Sequence, residues 1–218
     1  MSEASAEKTA PPVQPAGAKG ARTRERLLDV AYARILEKGF TATSIEELVE
    51  EAGITKSGFF YHFADKNDLA RQLIERYLGA VEETMDALEA RARELSDDPL
   101  HAFLVFMKLY AEATEEAASV YGGCLVSAIT YQDRSFDRGV RDANTEGVMA
   151  WRRRFKRWVE EIAAVYPPRR PVDLEAVADQ INVVADGSII LVCAVGDPGV
   201  IARQALLQRE MIRQLFVA

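Results

Sequence analysis

Histidine and cysteine are scarce, with two of each in 218 residues. His62 and His101 sit in different segments without a ligand-spaced partner, which argues against a structural zinc site or any other metal. Cys124 and Cys193 lie far apart and do not form a disulfide framework. Cys124, after two glycines, reads as a small helix-packing thiol rather than a nucleophile. GxGxxG, Walker-type, GxSxG and HExxH patterns are all missing, so no catalytic residues, no cofactor and no enzyme activity are expected. The longest apolar run, Ile189–Val195, is far too short to span a bilayer. The Ala-, Pro- and Ser-rich N-terminus has no apolar core of the kind a signal peptide needs. A soluble cytoplasmic protein with no membrane partner is expected. Strand signals and internal repeats are also missing, which leaves an all-α chain.

What the sequence does carry is concentrated between Thr43 and Leu69, TSIEELVEEAGITKSGFFYHFADKNDL. Ser44 and Glu47 form a capping box. Ile45, Leu48, Val49 and Ala52 follow at helical spacing and give one apolar face. Gly53 stands where a helix end favours a left-handed residue, and Thr55 can cap the next helix. Helix, short glycine turn and helix is the helix-turn-helix layout, whose second helix enters the DNA major groove. On that helix Phe59, Phe60 and Phe63 fall on the anchoring side with the stem of Lys56. Ser57, Gly58, Tyr61 and His62 fall on the exposed side.

A net charge of −7 is unusual for a DNA binder, but the position of the basic residues matters more than their sum. Lys19, Arg22, Arg24 and Arg26 gather at the start of the first helix, and Lys56 and Lys66 flank the second helix of the motif. Glu46, Glu47, Glu50 and Glu51 crowd the helix before it and are expected to face away from DNA.

TKSGFFYHF followed by ADKNDL resembles the signature of TetR-type transcriptional repressors. The likeness begins at TRERLLDVAYARILEKGF, similar to the family's first helix and its Gly39-Phe40 exit, and covers about the first third of the chain. Beyond it only the layout and Gly123–Leu125 are similar. Ser57-Gly58 departs from the family's Gly followed by Ser or Thr and leaves the groove face one side chain short. The resemblance implies a homodimer on a double-stranded operator, released by a small-molecule effector. On this reading Thr43, Lys56, Tyr61, His62 and Lys66 contact phosphates, while Ser57 and Tyr61 reach base edges. The alternative is an all-helical ligand-binding or enzymatic bundle without DNA binding.

The expected organisation is a disordered tail over 1–20, a DNA-binding domain over 21–68 and an effector and dimerisation domain over 69–218, with about nine helices. The first helix is expected from about Thr23 to Lys38. Asp65 caps a long fourth helix whose start can dock a phosphate. Asp98-Pro99 opens the next helix, a short one ends near Gln132, and a long one runs from about Ser135 to Val165 with Val148, Trp151, Phe155, Trp158 and Ile162 as its stripe. The last two run from about Asp173 to Val195 and from Pro198 to Phe216. The first of these is apolar all round and the second broadly apolar, so both are expected at a dimer interface. Aromatic and Met residues in the middle of the chain suit an adaptable apolar cavity more than a rigid core. Met85, Phe103, Phe106, Met107, Tyr110, Tyr121, Tyr131, Trp151, Arg154 and Phe155 are its candidate lining. Tyr110 or Tyr131 would orient the ligand, with Arg154 available to an anionic one.

Overall fold

A computed structural model describes residues 16–117 and 124–217, with side chains described over 20–114 and 124–217. The described residues form helices and connecting turns without strands. The helices are α1 (Ala16–Lys38), α2 (Ile45–Ala52), α3 (Lys56–His62), α4 (Lys66–Leu95), α5 (Pro99–Ala117), α6 (Leu125–Tyr131), α7 (Arg138–Val165), α8 (Leu174–Val195) and α9 (Val200–Phe216). The first helix therefore starts earlier than Thr23, inside the stretch expected to be a tail. The start expected near Ser135 is instead a 3₁₀ turn, Asp133–Ser135, separated from α7 by its cap Asp137. The last helix starts at Val200 after its cap Gly199, two residues beyond the expected Pro198, and Asp197 accepts the Gly199 amide at 3.0 Å.

Capping residues set the boundaries of the N-terminal helices. Ser44 accepts the Glu47 amide at 3.2 Å, Thr55 the Gly58 amide at 3.1 Å and Asp65 the Asp68 amide at 2.8 Å. Each satisfies one of the donors that a helix start leaves orphaned. Gly53 ends α2 at φ 65°, a left-handed conformation that a side chain would strain. Its successor Ile54 donates back to Val49 at 2.9 Å. These caps hold two short helices that lack the length to persist alone.

Two main apolar clusters organise the chain. One joins Leu27, Leu28, Leu48, Phe59, Phe63, Leu69 and Leu73 across α1–α4, and it continues into Leu125 and Ile129 of α6, Phe136 of the link and Val140 of α7. The other joins Phe103, Phe106, Trp158, Ile162, Ile181 and Ile212 of α5, α7, α8 and α9. The fourth helix belongs to both, since Leu69–Ile74 pack in the first and Met85, Leu88 and Ala92 against the second. A boundary at residue 68 would thus cut the first cluster, whose α4 contribution extends through Ile74.

Among the described residues α8 is the one helix long and apolar enough to cross a membrane by length and composition. One side of it is buried against α7 and α9, through Val177, Ile181, Ser188 and Val192. Its Asp179 bonds Arg152 of α7 at 2.5 and 2.8 Å.

Candidate DNA-binding and effector sites

The α3 helix is fixed by Phe59 and Phe63, which are fully buried and whose ring centroids lie 5.5 Å apart. Phe60 is not a third anchor. It is 48% exposed and meets Phe59 edge-on at 5.3 Å. At 100° per residue it lies too far round from Phe59 to share its pocket. The outward face of α3 therefore carries Lys56, Ser57, Phe60 and Tyr61, the last 82% exposed, with His62 half-buried beside Tyr61 at 4.9 Å. Ser57 exchanges a hydrogen bond with the capping Thr55 hydroxyl at 2.9 Å. A side chain added at Gly20 of α1 would lie 3.9 Å from the His62 ring, so the basic start of α1 flanks the same face.

Two of the expected phosphate contacts do not belong to this face. Thr43 is fully buried, and its hydroxyl donates to the Gly39 carbonyl at 2.9 Å. It stiffens the turn between α1 and α2. Lys66 places its ammonium 2.6 Å from the Phe40 carbonyl and 4.1 Å above the Phe40 ring, a hydrogen bond supplemented by a cation–π contact. Burial pushes the Lys66 ammonium below its ordinary value. Both residues hold the corner that supports the motif.

The acidic residues of α2 are largely neutralised by neighbours. Glu46 accepts from Lys56 at 2.6 Å, Glu47 from Lys38 at 2.7 and 2.5 Å, and Glu51 from Arg34 at 2.7 Å. The Lys56 ammonium holds the Glu46 carboxyl below its usual range, and Lys38 does the same for Glu47. These exposed pairs contribute little to stability, but they reduce the repulsion that four neighbouring carboxylates would present to phosphates.

Sequence reasoning missed how the motif is attached to the rest. Gln132, at the end of α6, accepts the Phe40 amide at 3.1 Å. Thr41 donates its hydroxyl to Ser135 at 3.0 Å, and Asn67 accepts the Asp137 amide at 3.2 Å. Gly39, at φ 85°, lies so close to the Gln132 amide group that an added Cβ would sit 2.8 Å from it. The segment 132–137 thus grips the exit of α1 and the start of α4 together.

A cavity of about 100 Å³ opens between α4, α5, α7, α8 and α9. Of the candidate residues, Met85, Met107, Tyr110, Trp151, Arg154 and Phe155 line it. Phe103 and Phe106 do not. Both are fully buried and pack edge-on or tilted against Trp158, at 5.6 and 6.0 Å, so they are solid core. Tyr131 is 74% exposed at the end of α6 and away from the cavity, and Tyr121 lies outside the described residues. Tyr77, Asn182, Asp186, Ser188 and Gln208 also line it, and none of them was marked by sequence reasoning. They come from helices whose apolar surroundings suggested only packing.

Arg154 is already tied to carboxylates through its terminal nitrogens, while its Nε has no hydrogen-bond partner among the described residues. Its terminal nitrogens donate to Glu89 at 2.6 Å, Glu82 at 2.7 Å and Asp86 at 2.5 Å, all from α4. Burial alone would lower the guanidinium, but Asp86 and Glu82 more than offset that and raise it above its ordinary value. Asp86, Glu82 and Glu89 thus tie α7 to α4 beside the cavity. Cys124, at the opposite rim, accepts the Tyr77 hydroxyl at 3.7 Å and opens α6. The helix whose far end leads into Gln132 therefore begins in the cavity wall.

Comparison with known proteins fits this geometry. Residues 27–73 match the family model for bacterial regulatory proteins of the tetR family. The HTH-type transcriptional regulator AcrR of Shigella flexneri is 33% identical over 99 residues, 43% of each chain, so the match spans less than half of that relative's length. The transcriptional regulator AcuR of Cereibacter sphaeroides is 25% identical over 182 residues, 81% of this chain and 80% of its own. A TetR transcriptional regulator from Chloroflexus aurantiacus superposes with a TM-score of 0.74 at 20% identity, covering 92% of this chain and all of that one, which shows a shared fold. Residues 27–73 thus carry a helix-turn-helix similar to that of the tetR family of bacterial regulatory proteins, and the described chain shares the fold of a solved TetR regulator.

Proposed function

We propose that the protein is a homodimeric, ligand-responsive transcriptional regulator that binds operator DNA through α3 and leaves it when a small molecule enters the cavity. The observation that carries this reading is the α3 face: Lys56, Ser57, Phe60 and Tyr61 stand outward on a helix held by the buried Phe59 and Phe63. Solvent-facing aromatics have no folding reason to sit there, and Tyr61 can reach a phosphate or a base edge. Lys56 and His62 supply phosphate contacts, and Ser57 and Tyr61 the contacts to base edges. The N-terminal helices through the start of α4 serve DNA and the remaining bundle serves the effector.

Dimerisation is assigned to α8 and α9. Val183, Ile190, Leu191 and Val195 of α8 are exposed, as are Leu206, Leu207 and Met211 of α9. A patch of this kind marks an interface, and a second copy would provide the two half-sites of a symmetric operator. The protein acts in the cytoplasm, where its DNA is. The default output is repression. Effector binding shifts the population toward a conformer with a different spacing of the recognition helices, with the segment 132–137 passing the displacement to Phe40.

The test is a binding measurement on genomic fragments at several salt concentrations. Tight binding to a few fragments that weakens steeply with salt supports the regulator. Equal, weak binding to all fragments, or none, would contradict it.

A further inference from the structure

The effector proposal leaves open what chemistry the cavity selects. Its walls are mostly apolar, with Val81, Met85, Met107, Ile181 and Ile201 among them. Two charged side chains reach it, Arg154 and Asp186. They are not equivalent. The guanidinium of Arg154 is held by three carboxylates from α4, so its positive charge is more than matched before any ligand arrives. Among the described residues Asp186 forms no ion pair and no side-chain hydrogen bond. Two turns earlier in the same column of α8, Asp179 is paired with Arg152, and one turn before that Glu175 is paired with Arg152 and Lys156. The column of acidic side chains facing α7 thus has its cations opposite the first two members and lacks one opposite the third.

A second acceptor points the same way. Gln208 of α9 is only 3% exposed, lines the cavity, and its Oε1 has no hydrogen-bond partner. A buried carbonyl oxygen left unpaired costs folding free energy that a ligand donor can recover. Burial also pushes the Asp186 carboxyl up from its ordinary value, as happens to a carboxylate that lacks a compensating cation.

We propose, resting on the effector-cavity reading above, that the effector is an apolar amine, protonated at neutral pH, whose ammonium is received by the Asp186 carboxylate and the Gln208 carbonyl oxygen while its hydrocarbon body fills the space between Met85, Met107 and Ile181. Arg154 Nε and Trp151 Nε1 also lack hydrogen-bond partners and can serve a ligand acceptor, but an apolar carboxylate would meet the Asp186 charge and the three α4 carboxylates around Arg154. A neutral alcohol of the same shape brings one hydroxyl donor and no charge, so it pairs with at most one of the two acceptors.

Three probes of nearly equal size and different charge separate the possibilities: phenethylammonium, phenethyl alcohol and phenylacetate, each titrated calorimetrically into the full-length protein and into Asp186→Asn. The expected order is ammonium over alcohol over carboxylate, with about a tenfold advantage or more for the ammonium over the alcohol, the range of a charge-assisted hydrogen bond. Asp186→Asn should remove most of that advantage and leave the alcohol within about twofold. Carboxylate or alcohol binding as tightly as the ammonium would overturn the amine assignment and leave the cavity standing. An ammonium advantage that survives Asp186→Asn would overturn the role of Asp186. Failure of all three to bind would overturn the effector-cavity reading itself. The ranking on the unmodified protein stands even if the variant folds poorly.

Discussion

The rings of Phe40 and Phe136 stack with centroids 4.2 Å apart and planes 30° from parallel. Phe40 is the first residue after the left-handed Gly39 that ends α1, and Phe136 lies between α6 and α7. This contact, with the Gln132 bond to the Phe40 amide, fastens the helix-turn-helix to the bundle at a point close to the recognition unit. Because α6 starts at the cavity wall and leads into this clamp, a single short helix connects the cavity to the helix-turn-helix.

Removing the clamp should separate binding from release. Gln132→Ala strips the acceptor from a part-buried amide and is expected to cost about 1–3 kcal/mol of stability, read as a lowered denaturation midpoint. Operator affinity should persist while the effector's ability to release DNA falls. An unchanged response to effector would show that the signal travels by another route.

For Lys66 the expected result is a stability effect, not an electrostatic one on DNA. Lys66→Met removes the donor to the Phe40 carbonyl and should lower the melting temperature, while the slope of log affinity against log salt stays the same. Lys56→Ala, by contrast, should leave stability nearly unchanged and reduce that slope by about one. A reduced slope for Lys66→Met would return that residue to the phosphate-binding set.

The carboxylates around Arg154 predict sensitivity to acid. Burial pushes the Glu89 carboxyl up, but Arg157, Arg93 and Arg154 outweigh it and leave it below its ordinary value of 4.5. A carboxyl depressed on folding contributes stability that is present above pH 4.5 and is lost as pH falls through the depressed folded value. Arg154→Met should therefore destabilise the protein most near neutral pH, by about 3–5 kcal/mol as for a broken buried pair, and much less in acid. Denaturation of both proteins across that range checks the sign.

Leu191 and Leu207 are exposed on α8 and α9. Leu191→Glu should yield a folded monomer by light scattering, with helical content retained and operator affinity sharply reduced. Val192, its neighbour in sequence, is buried within the subunit, and a charge there should unfold the chain instead. A dimer that persists in Leu191→Glu would move the interface elsewhere.

Most of the fold was legible because local signals agreed with one another. Ser44, Gly53, Thr55 and Asp65 each cap or end a helix by a bond formed within a few residues, and such bonds can be read from spacing. The outward side of α3 was legible at Ser57 and Tyr61 from helical spacing. What was not legible depends on distant partners. Nothing near Lys66 in sequence reveals that Phe40 waits for its ammonium, and Thr43 looks exposed until Gly39 turns under it. Phe103 and Phe106 resemble cavity aromatics by composition, but the position of Trp158 makes them solid core. Asp186 and Gln208 were overlooked because their importance lies in the lack of a partner, which only the packed bundle reveals.

The most direct test of the account is selection of genomic fragments by the purified protein, followed by titration of the selected fragment with the protein and with Tyr61→Ala. The account predicts that bound fragments share a two-fold-symmetric sequence protected as two half-sites. Tyr61→Ala should lose most of the preference for that sequence over an unrelated one while its melting temperature is unchanged. Fragments with no common symmetric sequence, or a Tyr61→Ala protein that discriminates as well as the original, would contradict it.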